Sequence, residues 1–169
     1  MIIRSDDFDF RMPFEHYQEI HQRFIENGLV ETAVIQVTQH GRMMNTEVKK
    51  PIIEYLRTAP NWDLQLHGWS HDVYSIKTKD EIYRDLAAAL YHFDEWFGRK
   101  PSVWYPPWNE KTEAMELAAK SLGLIIDNEA VGIKDFVRQQ KPVRAVYFHS
   151  WNRDEMQHFG DMIKLAKQL

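Results

Sequence analysis

Cysteine is absent from this chain of 169 residues, so disulfide bonds and thiolate metal sites are excluded. No apolar run approaches the roughly 18 residues that a membrane span requires. Residues 1–7 also lack the basic stretch and long apolar run of a secretory leader. If Met1 is the natural start, we expect a cytoplasmic protein without a membrane segment, although a lack of cysteine is equally compatible with export.

A concentration of basic residues is lacking as well. The chain carries 21 Lys and Arg against 25 Asp and Glu, for a net charge of −4. Binding to a phosphate backbone requires a basic patch or stripe, so nucleic acid is not an expected partner. Apolar material is abundant, with 44% hydrophobic and 13% aromatic residues. The length is that of one domain, and we expect residues 1–169 to form a single unit.

Short β-rich segments and amphipathic segments alternate along the chain. The strands are predicted at 2–3, 30–37, 62–66, 102–105, 124–127 and 144–148, and the helices at 13–28, 46–58, 79–97, 110–122 and 153–167. Thr78 and Glu81 form a capping box ahead of the longest helix. This order predicts parallel strands joined by crossover helices, in a β/α barrel or an open doubly wound sheet. Residues 128–142 are the least regular and are predicted to form a loop.

Polar side chains follow the predicted strands. Both architectures place ligand sites at the carboxyl ends of their strands. The residues at these ends are Asp6 and Asp7 after the first strand, His67, Ser70, His71 and Asp72 after the third, Pro106 to Asn109 after the fourth, Asp127 and Asn128 after the fifth, and His149 after the last. Because these side chains are expected at one edge of the sheet, the pattern indicates a functional site.

Each of these features also has a structural explanation when taken alone. An Asp pair after a strand commonly forms a turn or a helix cap. His67 and His71 have the spacing of two metal ligands if their segment is helical, but such a pair also arises by chance in a chain with eight His. His149 is compatible with a hydrogen-bonded core histidine, and the two prolines with a rigid turn. The order of the features is therefore more informative than any one of them.

That order resembles the polysaccharide deacetylases, carbohydrate esterases related to the nodulation chitooligosaccharide deacetylase. The first family motif, usually Thr-Phe-Asp-Asp-Gly, is similar to Arg-Ser-Asp-Asp-Phe at residues 4–8. By this resemblance Asp6 corresponds to the general base and Asp7 to the metal carboxylate. The second motif, a His-Ser or His-Thr pair with a later His, is similar to residues 67–71. It implies that His67 and His71 are metal ligands.

The remaining motifs extend the resemblance to residue 149. The third motif, usually Arg-Pro-Pro-Tyr, is similar to Tyr-Pro-Pro-Trp at residues 105–108, and the fifth, Leu-x-His, to residues 147–149. By the same resemblance His149 corresponds to the general acid. The residues expected to bind substrate are Trp69, Tyr105, Pro107 and Trp108.

Three departures from the family pattern affect the expected chemistry. Phe8 replaces the Gly of the first motif, and Tyr105 replaces the Arg that steadies the base in the third. The fourth motif, Asp-x-x-Asp-Trp, is missing, with Asp127 and Asp135 as candidate substitutes. We therefore expect Asp6 to be positioned differently and the activity to be lower, or its pH optimum shifted.

The resemblance implies a distorted or incomplete parallel (β/α) barrel of about six to seven strands. It also implies a divalent metal, with Zn²⁺ expected and Co²⁺, Ni²⁺ or Mn²⁺ as alternatives. The expected reaction is the N-deacetylation of an N-acetylated saccharide or sugar precursor, with release of acetate. Three alternatives stay open: a degenerate metal- or carbohydrate-binding protein, an amidohydrolase for a small non-sugar amide, and a barrel enzyme that abstracts protons without metal.

Overall fold

The computed structural model describes residues 1–8, 10–39, 42–43 and 46–169. Its strands are β1 (Ile2–Phe8), β2 (Glu31–Gln36), β3 (Thr38–Gln39), β4 (Arg42–Met43), β5 (Trp62–Gly68), β6 (Val103–Trp104), β7 (Ile125–Ile126), β8 (Val131–Gly132) and β9 (Ala145–His149). Seven of them form one sheet in the order β7-β6-β5-β2-β1-β9-β8, and all of its pairings are parallel. β3 and β4 form a separate antiparallel pair. The sheet curls into an incomplete barrel, which confirms the predicted fold class.

Seven helices connect and cover these strands in the described part of the chain. They are α1 (Phe14–Glu26), α2 (Thr46–Thr58), α3 (Lys79–Phe97), α4 (Glu113–Ser121), α5 (Ile133–Gln139), α6 (Arg153–Met156) and α7 (Phe159–Ala166). Thr78 and Glu81 form the predicted capping box on α3, and Gly98 ends that helix in the left-handed conformation. No helix among the described residues is long and apolar enough to cross a membrane.

Two hydrophobic clusters hold the helices on the sheet. One lies under α2, α3 and α4 and includes Phe8, Leu66 and Phe93. The other lies under α5 and α7 and includes Phe24 and Phe148. Each fully buried large side chain of this kind contributes about 1.5–3 kcal/mol relative to an exposed one. The two clusters fix the helices and thereby the loops at the carboxyl edge of the sheet.

The structure corrects three boundaries predicted from the sequence. The predicted loop at 128–142 contains β8 and α5, so that prediction is wrong. Its strand is only two residues long, too short to show a periodic pattern. The predicted helix at 153–167 is two helices, α6 and α7. The first strand is also longer than predicted, because β1 includes the acidic pair instead of ending before it.

Candidate active site

Three strands deliver the acidic and histidine side chains to one edge of the sheet. β1 carries Asp6 and Asp7, β5 carries His67, and β9 carries His149. Asp6 and His149 are direct partners in the register of β1 and β9. All four side chains line one pocket of about 340 Å³. The positions are those expected of a ligand site in a parallel sheet.

A local break in β1 turns two consecutive carboxylates toward the same pocket. Neighbouring residues of a regular strand point to opposite faces. Here the register of β1 shifts between Ser5 and Phe8, and Asp7 has a φ of 54°. This left-handed conformation is strained for a residue other than Gly, and such strain is typical of functional sites. Both Asp6 and Asp7 consequently line the pocket.

A glycine turn, and not a helix, brings His67 and His71 together. β5 ends at Gly68, whose φ of 144° is accessible to Gly but rarely to other residues. A Cβ at this position would lie 2.9 Å from the Tyr74 hydroxyl oxygen. The two imidazole rings are 5.4 Å apart after this turn. The sequence-based condition that the segment be helical is therefore wrong, although the two rings do converge.

Asp7, His67 and His71 offer three ligand atoms that all lie within 4.8 Å of one another. The Nε2 atoms of His67 and His71 lie 2.9 and 3.1 Å from Oδ1 of Asp7. Nδ1 of His67 lies 2.7 Å from the Tyr105 carbonyl oxygen, and because a carbonyl only accepts, this nitrogen carries the proton. With Nδ1 engaged by this carbonyl, Nε2 is the ring atom of His67 that faces the Asp7 carboxylate, as in a histidine that binds a metal through Nε2 and a carbonyl oxygen through Nδ1. One carboxylate and two imidazoles fit a divalent metal ion with open positions.

Attraction between the Asp7 carboxylate and the two histidines shifts the pKa values of Asp7 and His71. Burial alone would raise the pKa of Asp7, but hydrogen bonds and charge from His67 and His71 outweigh it and hold the pKa far below its ordinary value. Burial would likewise lower the pKa of His71, yet the Asp7 carboxylate raises it above its ordinary value. The Asp7 side chain is therefore a permanent anion at neutral pH, as a metal ligand must be.

The Asp6 carboxylate is held by an arginine to which the family resemblance gave no role. Arg4 donates from Nε to Oδ1 of Asp6 at 3.1 Å and from Nη2 to Oδ2 at 2.7 Å. Nη2 also donates to Oδ1 of Asn109 at 2.9 Å. Arg4 and Asp6 are two residues apart on β1 and so share a face of the strand. The expectation that Asp6 has no arginine beside it is wrong, because the arginine comes from β1 and not from position 105.

Glu155, on α6, is the partner of His149. Its carboxylate oxygens lie 3.1 Å from Nδ1 of His149, and one of them accepts the His149 backbone N–H at 2.7 Å. Burial lowers the pKa of His149, but Glu155 and the nearby Asp7 and Asp6 charges raise it by more, so that its net shift is upward. The sequence did not single out Glu155, since an acid in the first turn of a short helix is also an ordinary helix feature.

The two candidates for the missing fourth motif lie elsewhere. Asp127 is bound by Arg144 at 2.9 Å, and Asp135 by Arg138 at 2.7 Å. Neither carboxylate contacts His149 among the interactions of the described residues. Neither carboxylate lines the pocket, whereas Glu155 does and contacts His149.

Of the four residues expected to bind substrate, only Trp108 lines the pocket among the described residues. It is 64% exposed, has a φ of 62°, and its ring centroid lies 4.8 Å from that of His71. Tyr105 is buried beneath Arg4, and burial raises the pKa of its hydroxyl to about 12. Pro107 is buried in the turn that presents Trp108. Trp69 packs toward α3, with its ring 5.8 Å from that of His92.

Other pocket residues come from β9, from the loop after it and from the turn that follows β6. Trp151 stands beside His149, with ring centroids 5.2 Å apart. The further lining residues are Pro106, Asn109, Tyr147 and Asn152. Trp108 and Trp151 thus stand on the His71 side and the His149 side of the pocket. The third motif predicted Trp108, whereas Trp151 lies outside the motifs and its exposure is visible only in the structure.

Solved structures of known function have the same fold. A family 4 carbohydrate esterase from Streptomyces lividans, in complex with acetate, matches with a TM-score of 0.78 and 13% identity, over 99% of this chain and 88% of that chain. A peptidoglycan deacetylase from Bacillus subtilis gives a TM-score of 0.75 and 12% identity, over 99% and 82%. A CE4 family pseudoenzyme from Bacillus anthracis gives 0.76 and 13%, over 99% and 60%. At such identities the likeness shows the fold.

The family itself is established by sequence. The profile described as polysaccharide deacetylase matches residues 14–126, well over half of the chain. Asp6, Asp7 and His149 lie outside the matched range. A comparison with curated proteins found no match. On the strength of the profile match, and in agreement with the fold, this chain belongs to the polysaccharide deacetylase family.

Proposed function

We propose that this chain is a metal-dependent deacetylase that removes the acetyl group from the nitrogen of an N-acetylated saccharide or sugar precursor. We also propose that residues 1–169 act as one catalytic domain. The observation that carries the proposal is the convergence of Asp7, His67 and His71 next to Asp6 and His149 in one pocket. This set contains a metal-binding group together with a carboxylate and an imidazole for proton transfer.

The roles follow from the chemistry of each group. Asp7, His67 and His71 would hold a divalent ion, which would polarise the acyl carbonyl and acidify a water molecule. Zn²⁺ suits a site of two imidazoles and one carboxylate, and Co²⁺, Ni²⁺ and Mn²⁺ are alternatives. Membership of the family and the geometry of the three side chains both support this assignment.

Asp6 and His149 divide the proton transfers. Asp6 accepts a proton from the water that attacks the acetyl carbon. His149 donates a proton to the nitrogen as the bond between carbon and nitrogen breaks, so the products are acetate and a free amine. The upward shift in the pKa of His149 favours the protonated form that this donation requires. The backbone N–H of Trp108, in the turn at the pocket rim, is our candidate donor to the oxyanion.

The residues that line the pocket support a saccharide as the substrate. Trp108 and Trp151 are exposed aromatic side chains on two sides of the catalytic groups. Aromatic faces of this kind stack on sugar rings, and Asn109 and Asn152 supply amide groups for sugar hydroxyls. An acetylated saccharide uses both kinds of contact, whereas a small non-sugar amide would leave both tryptophans unused.

A second candidate function is a binding protein without catalysis. The observation that favours it is the equal likeness of the fold to a protein described as a pseudoenzyme. Arg4 and Glu155 weigh against it, since they support Asp6 and His149 with hydrogen bonds that a binding protein does not need.

The decisive experiment measures metal content and acetate release on the same preparations. Wild-type protein, purified without chelator, is analysed for metals and assayed on N-acetylated chitooligosaccharides and on O-acetylated xylan. The variants are His67→Ala/His71→Ala and, as a matched control, His92→Gln, which removes an imidazole that does not line the pocket. We expect about one divalent ion per chain and acetate release from the N-acetylated substrates, both lost only in the double variant.

The other outcomes are equally informative. Metal without acetate release on either substrate class would favour the binding protein. Release from xylan alone would assign the activity to O-acetyl groups. Absence of metal after addition of zinc would refute the proposed function.

A further inference from the structure

We propose that Arg4, on β1, is the residue that positions the Asp6 carboxylate. The third family motif usually supplies an arginine for this task, at the position that Tyr105 occupies in this chain. This inference rests on the proposed function, because it concerns the residue assigned as the base. It gives a role to a buried arginine that stands where the first family motif usually has Thr.

The contact between Arg4 and Asp6 is the strongest kind of side-chain pairing. Two nitrogens of the guanidinium donate to the two carboxylate oxygens, at 3.1 and 2.7 Å. Such a two-point contact fixes the plane of the carboxylate as well as its distance, which one hydrogen bond does not. Asp6 is 4% exposed and Arg4 is fully buried. Little water therefore competes for either partner.

Arg4 is itself held by groups from the segment that follows β6 and from β9. Asn109 accepts a hydrogen bond from Nη2 at 2.9 Å. The guanidinium carbon lies 4.5 Å from the centre of the Tyr105 ring and 5.8 Å from that of Tyr147. These are distances for cation–π contact. Tyr105 therefore supports the arginine instead of replacing it.

The placement of Arg4 has a consequence for position 105. The Tyr105 ring lies beside the guanidinium, so an arginine at 105 would bring a second cation into the same buried space. With Arg4 in place this is unfavourable. With Arg4 removed, an arginine at 105 has room to reach Asp6. The two positions are therefore expected to be interdependent, and arginine is expected to work at either one but not at both.

The test uses four proteins: wild type, Arg4→Thr, Tyr105→Arg and the double variant. Thr and Arg are the residues that the family motifs usually have at these two positions. Arg144→Met is the matched control, since it removes an arginine that also binds a buried carboxylate, that of Asp127, away from the pocket. For each protein kcat, KM, the midpoint of thermal unfolding and the affinity for Zn²⁺ by calorimetry are measured.

In Arg4→Thr we expect kcat to fall about 100-fold, because misplacing a catalytic group by about 1 Å has an effect of this size. KM and the affinity for Zn²⁺ should change less than about threefold, since the metal-binding side chains are untouched. Tyr105→Arg should be less stable than wild type. The double variant should regain at least tenfold of the lost kcat, and Arg144→Met should retain the wild-type kcat.

Three results would overturn the inference: wild-type kcat in Arg4→Thr, a loss of kcat matched by loss of folding or of Zn²⁺ affinity, or a double variant no more active than Arg4→Thr. If the wild type releases no acetate, the proposed function fails separately. The contact between Arg4 and Asp6 is then tested by the midpoints of thermal unfolding of Arg4→Thr, Asp6→Asn and the double variant that combines them. Non-additive shifts support the contact between Arg4 and Asp6, and additive shifts refute it.

Discussion

The carboxylate of Glu155 binds His149 at two points, accepting the backbone N–H at 2.7 Å and lying 3.1 Å from Nδ1 of the ring. The contact leaves Nε2 as the ring atom directed toward the pocket, 3.8 Å from Oδ2 of Asp7. In the proposed function His149 donates a proton, which needs a fixed ring and a stabilised cationic form, and Glu155 supplies both.

Glu155→Gln should lower kcat by at least tenfold and move the alkaline limb of the pH–rate profile to lower pH. The physical reason is that Glu155 raises the pKa of His149, so its neutralisation lets the pKa fall. The protonated, active form is then lost at a lower pH. Initial rates across pH 5–10 would show the shift. Glu116→Gln, which neutralises an exposed carboxylate paired with Lys111, is the control and should leave the profile unchanged.

The same contact should make stability depend on pH. The pKa of His149 is raised in the folded state, so the resulting stabilisation is present below the unfolded pKa of about 6.5 and is lost as pH rises through the folded value. Glu155→Gln should therefore lower the thermal midpoint more at pH 5.5 than at pH 9. An equal loss at both values would contradict the assigned pKa shift.

Asp7→Asn should abolish stoichiometric metal binding, because it removes the one carboxylate among the three proposed ligands. We expect the affinity for Zn²⁺ to fall by at least about 100-fold, since even partners beyond the direct ligands are worth 10–100-fold. Calorimetric titration of chelator-treated protein measures this directly. Full affinity in Asp7→Asn would place the metal elsewhere.

Gly68→Ala should weaken metal binding although residue 68 carries no ligand. The new Cβ would lie 2.9 Å from the Tyr74 hydroxyl, and the φ of 144° would be strained. We expect a loss of about 1–3 kcal/mol in unfolding free energy and a displaced His71. Gly98→Ala is the matched control, since Gly98 also has a positive φ but has open space around its Cβ position. That variant should lose stability without losing metal affinity.

Trp108→Ala and Trp151→Ala should each raise KM for an N-acetylated oligosaccharide by about fivefold, which corresponds to the roughly 1 kcal/mol of an aromatic contact. Trp108 is 64% exposed, so the thermal midpoint of its variant should stay within a few degrees of wild type. Tyr91→Ala removes an aromatic ring that is 61% exposed, on α3, and serves as the control. An unchanged KM in both tryptophan variants would contradict the proposal that these two side chains stack on the saccharide.

The amino-acid sequence alone was sufficient to predict the fold class and the main helices. The helices at 46–58 and 79–97 have the predicted bounds, because local signals such as the Thr78 capping box and periodic apolar residues define them. The order of acidic pair, histidine pair and late histidine also identified which side chains converge. These signals survive in a sequence because they depend on residue type and short spacing.

Only the tertiary structure decided which groups support those side chains. Arg4 and Glu155 lie within six residues of Asp6 and His149, yet whether they touch them depends on the face of β1 that turns inward and on the start of α6. Trp69 was expected in the pocket and faces α3, because the turn at Gly68 redirects the chain after His67. Spacing along the sequence fixes the types of group available, whereas strand register, a bulge and one glycine turn determine where each of them points.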